Sequence, residues 1–202
     1  MGLEARCRAH YGKKTSEGKA YLESEALAFR GDFRVSIPFA DMRRVTAKGA
    51  DLHVELAEGT LVLELGPAAA KWEKKILNAP TRLEKLGVDK GTVVAAIGTF
   101  DQAFLSELNK AGATVDRVSN DSAELTLVAA DNIGHLAQVA DLAKRVSGKQ
   151  AMWIVYPKGQ RAITQADVMA AGKGAGLVDV KVASFSPTHT ALKFVVPVNR
   201  RS

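Results

Sequence analysis

The sequence predicts two domains of different class. The first is α+β, a bent antiparallel sheet closed by one helix. The second is α/β, a three-layer domain with a mostly parallel sheet and a terminal antiparallel hairpin. Residues 19–65 carry short segments in which apolar and polar positions alternate between turn signals, the period of half-buried antiparallel strands. From Thr92 onward, residues 93–97, 125–129 and 152–156 are apolar without alternation, and helix-forming segments separate them. Parallel strands covered on both faces require that pattern. The chain has 202 residues, 47% of them apolar and 25% charged, an ordinary globular balance that can supply two small cores.

The local excess of Arg6, Arg8, Lys13, Lys14 and Lys19 over Glu4 and Glu17 predicts a basic, solvated terminal segment over residues 1–18. The first domain then occupies residues 19–79. Strands are expected over 19–23, 26–30 and 33–37, with Gly31-Asp32 as a turn and Pro38 breaking the ladder. A further strand lies within 41–46, and Glu58-Gly59 joins strands 52–56 and 61–65. Gly66-Pro67 opens a helix, since proline fits a first turn. Ala68 or Ala69, with Trp72 and Ile76, forms its buried face, and Trp72 plugs the open end of the sheet.

Thr81 caps a short helix that ends at Gly87. The second domain is expected over residues 91–198. Strand 93–97 leads through Gly98 to a helix capped by Asp101, with Phe104, Leu105, Leu108 and Ala111 inward and Gly112 after its end. A short strand is expected at 115–118. Strand 125–129 leads to a helix capped by Asp131, with a stripe of Ile133, Leu136, Ala140 and Ala143. Pro157 stops strand 152–156. Thr164 and Asp167 form a capping box for a helix ending at Gly172. Segments 178–182 and 192–196 alternate and form the terminal hairpin.

The net charge of +6 is shared evenly by the two halves, so no dedicated nucleic-acid surface is implied. A single cysteine, Cys7, excludes an internal disulfide and cysteine-rich zinc sites. No apolar run approaches a bilayer-spanning length, and the expected location is the cytoplasm. His10, His53, His135 and His189 have no second ligand at metal-binding intervals, so no metal is expected. The segment Gly172-Lys173-Gly174-Ala175-Gly176 follows a helix and precedes a strand, the reverse of a phosphate cradle. No cofactor is expected.

Open parallel sheets bind ligands beyond the carboxyl ends of their strands. Here the three buried strands end at Gly98-Thr99, Ala130-Asp131 and Tyr156-Pro157-Lys158. The candidate cleft is therefore Gly98, Thr99, Asp101, Asp131, Tyr156 and Lys158, with Lys158 as its one fixed cation. The first turn lacks the glycines that would let a phosphate approach. A binding or scaffold protein without catalytic activity is expected. The alternatives are a degenerate nucleotide- or S-adenosylmethionine-binding enzyme, and a module for membrane surfaces or acidic partners.

Three resemblances bear on these expectations. The run Lys19-Ala20-Tyr21-Leu22, the step Ile37-Pro38-Phe39-Ala40-Asp41 and the Trp-bearing helix resemble bacterial pleckstrin-homology-like or GRAM-like domains. That likeness implies a strongly bent sheet with one C-terminal helix. Residues 151–159, with Trp153, Tyr156, Pro157 and Lys158, resemble an uncharacterised bacterial family that brings no activity or ligand. The same half is similar to the end of S-adenosylmethionine-dependent methyltransferases, which implies a Rossmann-like sheet. It departs from them at Gly98-Thr99-Phe100-Asp101, where Phe100 would crowd a methionine moiety.

Overall fold

A computed structural model describes residues 2–200. The chain divides into a unit up to Pro80 and a unit from Thr81. The first holds a curled antiparallel sheet, the second a mixed sheet with helices on both faces.

The first unit begins with β1 (Leu3–Tyr11) and β2 (Lys14–Leu22), paired along their whole length. This corrects the expectation of a solvated terminal segment over 1–18. Leu3, Ala5, Cys7, Ala9 and Tyr11 alternate inward and pack in the core. Small Ala and Cys side chains bury little area, so the alternation is faint beside the basic residues that share the strand. Burial pushes the Cys7 thiol up to about 11, so it carries no thiolate at neutral pH.

The chain continues through β3 (Ala26–Arg30), β4 (Arg34–Pro38), β5 (Arg44–Lys48), β6 (Asp51–Leu56) and β7 (Gly59–Glu64). A 3-10 turn at Phe39–Asp41 occupies part of the segment expected as strand, which shifts β5 downstream. The sheet order is β4-β3-β2-β1-β7-β6-β5. Helix α1 (Ala68–Leu77) buries Ala69, Trp72 and Ile76 against the sheet. The Glu73 carboxylate accepts from the Ala47 amide at 3.1 Å, tying α1 to β5.

The second unit starts with α2 (Arg82–Leu86), closed by the Thr81/Glu84 capping box and by Gly87 in the left-handed region. The expected domain start at residue 91 is thus moved to Thr81, because Leu83 and Leu86 belong to this core. Then follow β8 (Val93–Ile97), α3 (Gln102–Lys110), β9 (Thr114–Asp116) and β10 (Leu125–Ala129). A 3-10 segment (Ile133–Gln138) runs into α4 (Val139–Ala143). The expected Asp131-capped helix is not formed there. Ile133 and Ala140 face solvent, and Leu136, Val139, Ala143 and Val146 make the buried stripe.

Strand β11 (Ala151–Pro157) is buried throughout its apolar run. Helix α5 (Gln165–Gly174) carries the Thr164/Asp167 capping box and runs past the expected end at Gly172. Gly172 lies inside the helix, and close packing calls for glycine there, since a Cβ would lie 2.1 Å from the Phe194 ring. Strands β12 (Val178–Ser184) and β13 (His189–Val195) close the sheet, whose order is β12-β13-β11-β10-β8-β9. Pairings among β9, β8, β10 and β11 are parallel, and those of β13 with β11 and β12 are antiparallel. One face packs on α2 and α3, the other on α4 and α5.

Candidate functional site

The carboxyl end of β8 sets the position of the site. Gly98 has φ of +90°, and a Cβ on it would meet the Ala129 carbonyl oxygen at 3.1 Å. Only glycine lets the turn after β8 lie this close to β10. Three residues on, Asp101 caps α3, its Oδ1 accepting from the Phe104 amide at 2.7 Å. Between them Phe100 is buried against Phe104 and Phe185, ring centroids 5.5 and 6.0 Å away. The Arg82 guanidinium stacks over Phe104 and Phe185 at 4.6 and 5.0 Å and pairs with Glu107. Cation–π attraction thus backs the aromatic wall.

Beyond these strand ends lies an open cavity of about 490 Å³, a size that suits small organic ligands. Phe100, Phe185, Ala129, Val155 and Pro187 form its apolar walls. Its polar groups are Thr99, Asp101, Asp131, Ser186, Thr188 and His189. No lysine or arginine lines it. Among the lining side chains the permanent charges are the carboxylates of Asp101 and Asp131, while Lys158 Nζ and the Arg117 guanidinium stand behind the wall on the Ser186 and Gly98 carbonyls.

Of the residues expected in the cleft, Thr99, Asp101 and Asp131 line it, and Gly98 shapes the turn beneath it. Tyr156 does not line it. It lies in the core on the opposite sheet face, where burial raises its phenol. Lys158 is not a free cation at the mouth. Its Nζ donates to Ser184 Oγ at 2.9 Å and to the Ser186 carbonyl at 2.8 Å, and its amide donates to the Thr188 carbonyl. It braces the loop between β12 and β13 instead.

That loop supplies the residues sequence reasoning missed. Ser186 Oγ accepts from the amides of Thr188 and His189 at 3.3 and 3.0 Å. His189 Nδ1 lies 2.9 Å from Thr188 Oγ1, and its Nε2 lies 3.8 Å from Asp131 Oδ1 across the mouth. The signal was the terminal hairpin. Because β13 runs antiparallel to β11, with His189 opposite Pro157, its first residue must sit at the carboxyl end of β11.

The arrangement sets hydrogen-bonding side chains around apolar walls, which can orient a small ligand. Hydroxyl, imidazole and carboxylate approach one another, but 3.8 Å between Nε2 and Oδ1 exceeds a hydrogen bond. Among the described residues no group of three metal-ligating side chains occurs, and no helix is long and apolar enough to cross a membrane.

No family model matches the chain, and no curated protein matches it. Solved structures do. A SAM-dependent methyltransferase from Aquifex aeolicus is 13% identical over 61% of this chain and 96% of its own, with a TM-score of 0.44. A putative methyltransferase from Thermoplasma acidophilum is 8% identical over 97% of this chain and 99% of its own, with a TM-score of 0.43. The N-terminal PH domain of human ARAP2 protein is 13% identical over 39% of this chain and 77% of its own, with a TM-score of 0.34. These values describe general chain path and assign no ligand or reaction.

Proposed function

We propose that the chain is a non-catalytic binding protein whose second unit holds a small, uncharged or cationic organic molecule at the carboxyl ends of its parallel strands. One observation carries this reading. The cavity combines aromatic and aliphatic walls with two carboxylates and no lining lysine or arginine. A nucleoside or another compact molecule with an aromatic part and hydroxyl or amino groups fits that chemistry. A nucleotide does not, because its phosphates would meet Asp101 and Asp131. In the same reading the first unit is a pleckstrin-homology-like module and the second a shortened Rossmann-like one. The curled sheet with its single C-terminal helix supports the first assignment, and the antiparallel β13 between β11 and β12 supports the second.

A thermal-shift series on the full chain tests the proposal, with adenosine, S-adenosylmethionine, AMP and ATP as probes. Native mass spectrometry in parallel seeks a co-purifying molecule. Adenosine is expected to stabilise the protein, by about 2.7 kcal/mol at a hundred times Kd, with S-adenosylmethionine, AMP and ATP weaker. A larger shift with ATP than with adenosine, or no shift together with no co-purifying molecule, overturns it.

A further inference from the structure

The outward face of the first unit carries a feature that its fold does not need. Register places Arg6 on β1 opposite Lys19 on β2, Lys19 opposite Arg30 on β3, and Arg30 opposite Arg34 on β4. Directly opposed residues share a sheet face, so four cations stand in one row across four strands. Arg6, Arg30 and Arg34 are exposed and Lys19 is half-buried. Like charges directly opposite destabilise a sheet, and this row contains three such pairs in succession. Lys19 pairs with Glu4 at 2.7 Å. Arg6, Arg30 and Arg34 have no ion-pair partner among the described residues.

We propose that the row of Arg6, Lys19, Arg30 and Arg34 docks an extended acidic peptide of a partner protein. Adjacent strands are about 4.8 Å apart, so the row is about 14 Å long. One compact anion cannot span it. Acidic side chains at three alternate positions of an extended peptide span about the same length, and arginine forks match carboxylates.

The flanks of the row set the width of what it accepts. Glu4, two residues before Arg6 and bonded to Lys19, lies to one side, and Arg8, two residues after Arg6, lies to the other with its charge paired by Glu17 at 2.9 Å. Asp32, in the turn between Arg30 and Arg34, is bonded to Ser16 on the inward face. The cationic band is therefore one row wide. A bilayer or a duplex would press against Glu4 and Glu17, whereas a single extended chain avoids them. Single-stranded nucleic acid also wants aromatic faces for its bases. The one aromatic ring beside the row, Tyr21, is already engaged by Lys19 at 5.5 Å and Arg30 at 4.9 Å.

The test uses the full chain and a fluorescein-labelled peptide of alternating glutamate and serine, read by anisotropy. A single-stranded oligothymidylate of equal charge and phosphatidylserine vesicles are the comparison arms. The peptide is expected to bind and to release as salt rises. The double variant R30A/R34A is expected to weaken it by about tenfold or more. The variant K13A/K14A removes the same charge from the turn between β1 and β2 and is expected to retain binding within about twofold. Circular dichroism confirms that both variants are folded. Absence of peptide binding, equal loss in both variants, tighter binding of the oligothymidylate, or stronger association with the vesicles each overturns the proposal.

Discussion

The two units bury their sheets in opposite ways, and that difference places their candidate sites. In the first unit the antiparallel sheet packs one face on Trp72 and its neighbours and turns the other to solvent. Its free surface is a sheet face, and that face carries a row of cations. In the second unit both faces are covered, by α2 and α3 on one side and by α4 and α5 on the other. What remains open are the strand ends, and there the cavity lies. Antiparallel sheets can keep one face wet, whereas parallel ones are sandwiched. The architecture thus selects the kind of surface before any residue selects a ligand.

Three substitutions, the second with a control in the same helix, would break or sharpen this contrast, in falling order of effect. Trp72→Ala removes the largest side chain of the one-sided core and should cost about 3–5 kcal/mol. Denaturant unfolding measures it, and a loss under about 1 kcal/mol would mean that Trp72 does not hold the sheet closed. Gly172→Ala tests the two-sided core. Its Cβ would strike the Phe194 ring at 2.1 Å, and a cost of about 1–3 kcal/mol is expected. Gly174→Ala in the same helix meets nothing within 4 Å and should be neutral or slightly stabilising. Equal effects at the two glycines would sink the explanation by close approach.

The smallest effect concerns the outward face. Arg34→Glu sets a carboxylate opposite Arg30 and should raise stability by about 0.2–1 kcal/mol, seen as a higher Tm. A lower Tm would show that the basic row carries no strain for the sheet.

Much of the second unit was legible in the chain because its signals are local. Thr81, Asp101 and Thr164 cap their helices through side chains three residues from the amides they satisfy. The run ending in Tyr156-Pro157-Lys158 is a strand, as its continuous apolar character required. The roles within that run were not legible. Trp153 Nε1 donates to the Leu86 carbonyl at 2.9 Å, Tyr156 points into the other core, and Lys158 braces a loop. Each partner lies tens of residues away in sequence, on an element whose side of the sheet no local pattern specifies. The first hairpin was hidden for another reason: its inward residues are too small to stand out against its charges.

By itself, the sequence determined the order and type of most elements, the caps that start the helices, and the absence of a glycine-rich phosphate loop at Gly98. These depend on backbone sterics and on groups a few residues apart. Tertiary structure alone decided that β13 enters beside β11 and brings His189 to Asp131, and that Arg6, Lys19, Arg30 and Arg34 align. Strand order and register are set by packing of whole faces, which sums weak contributions from residues far apart in the chain.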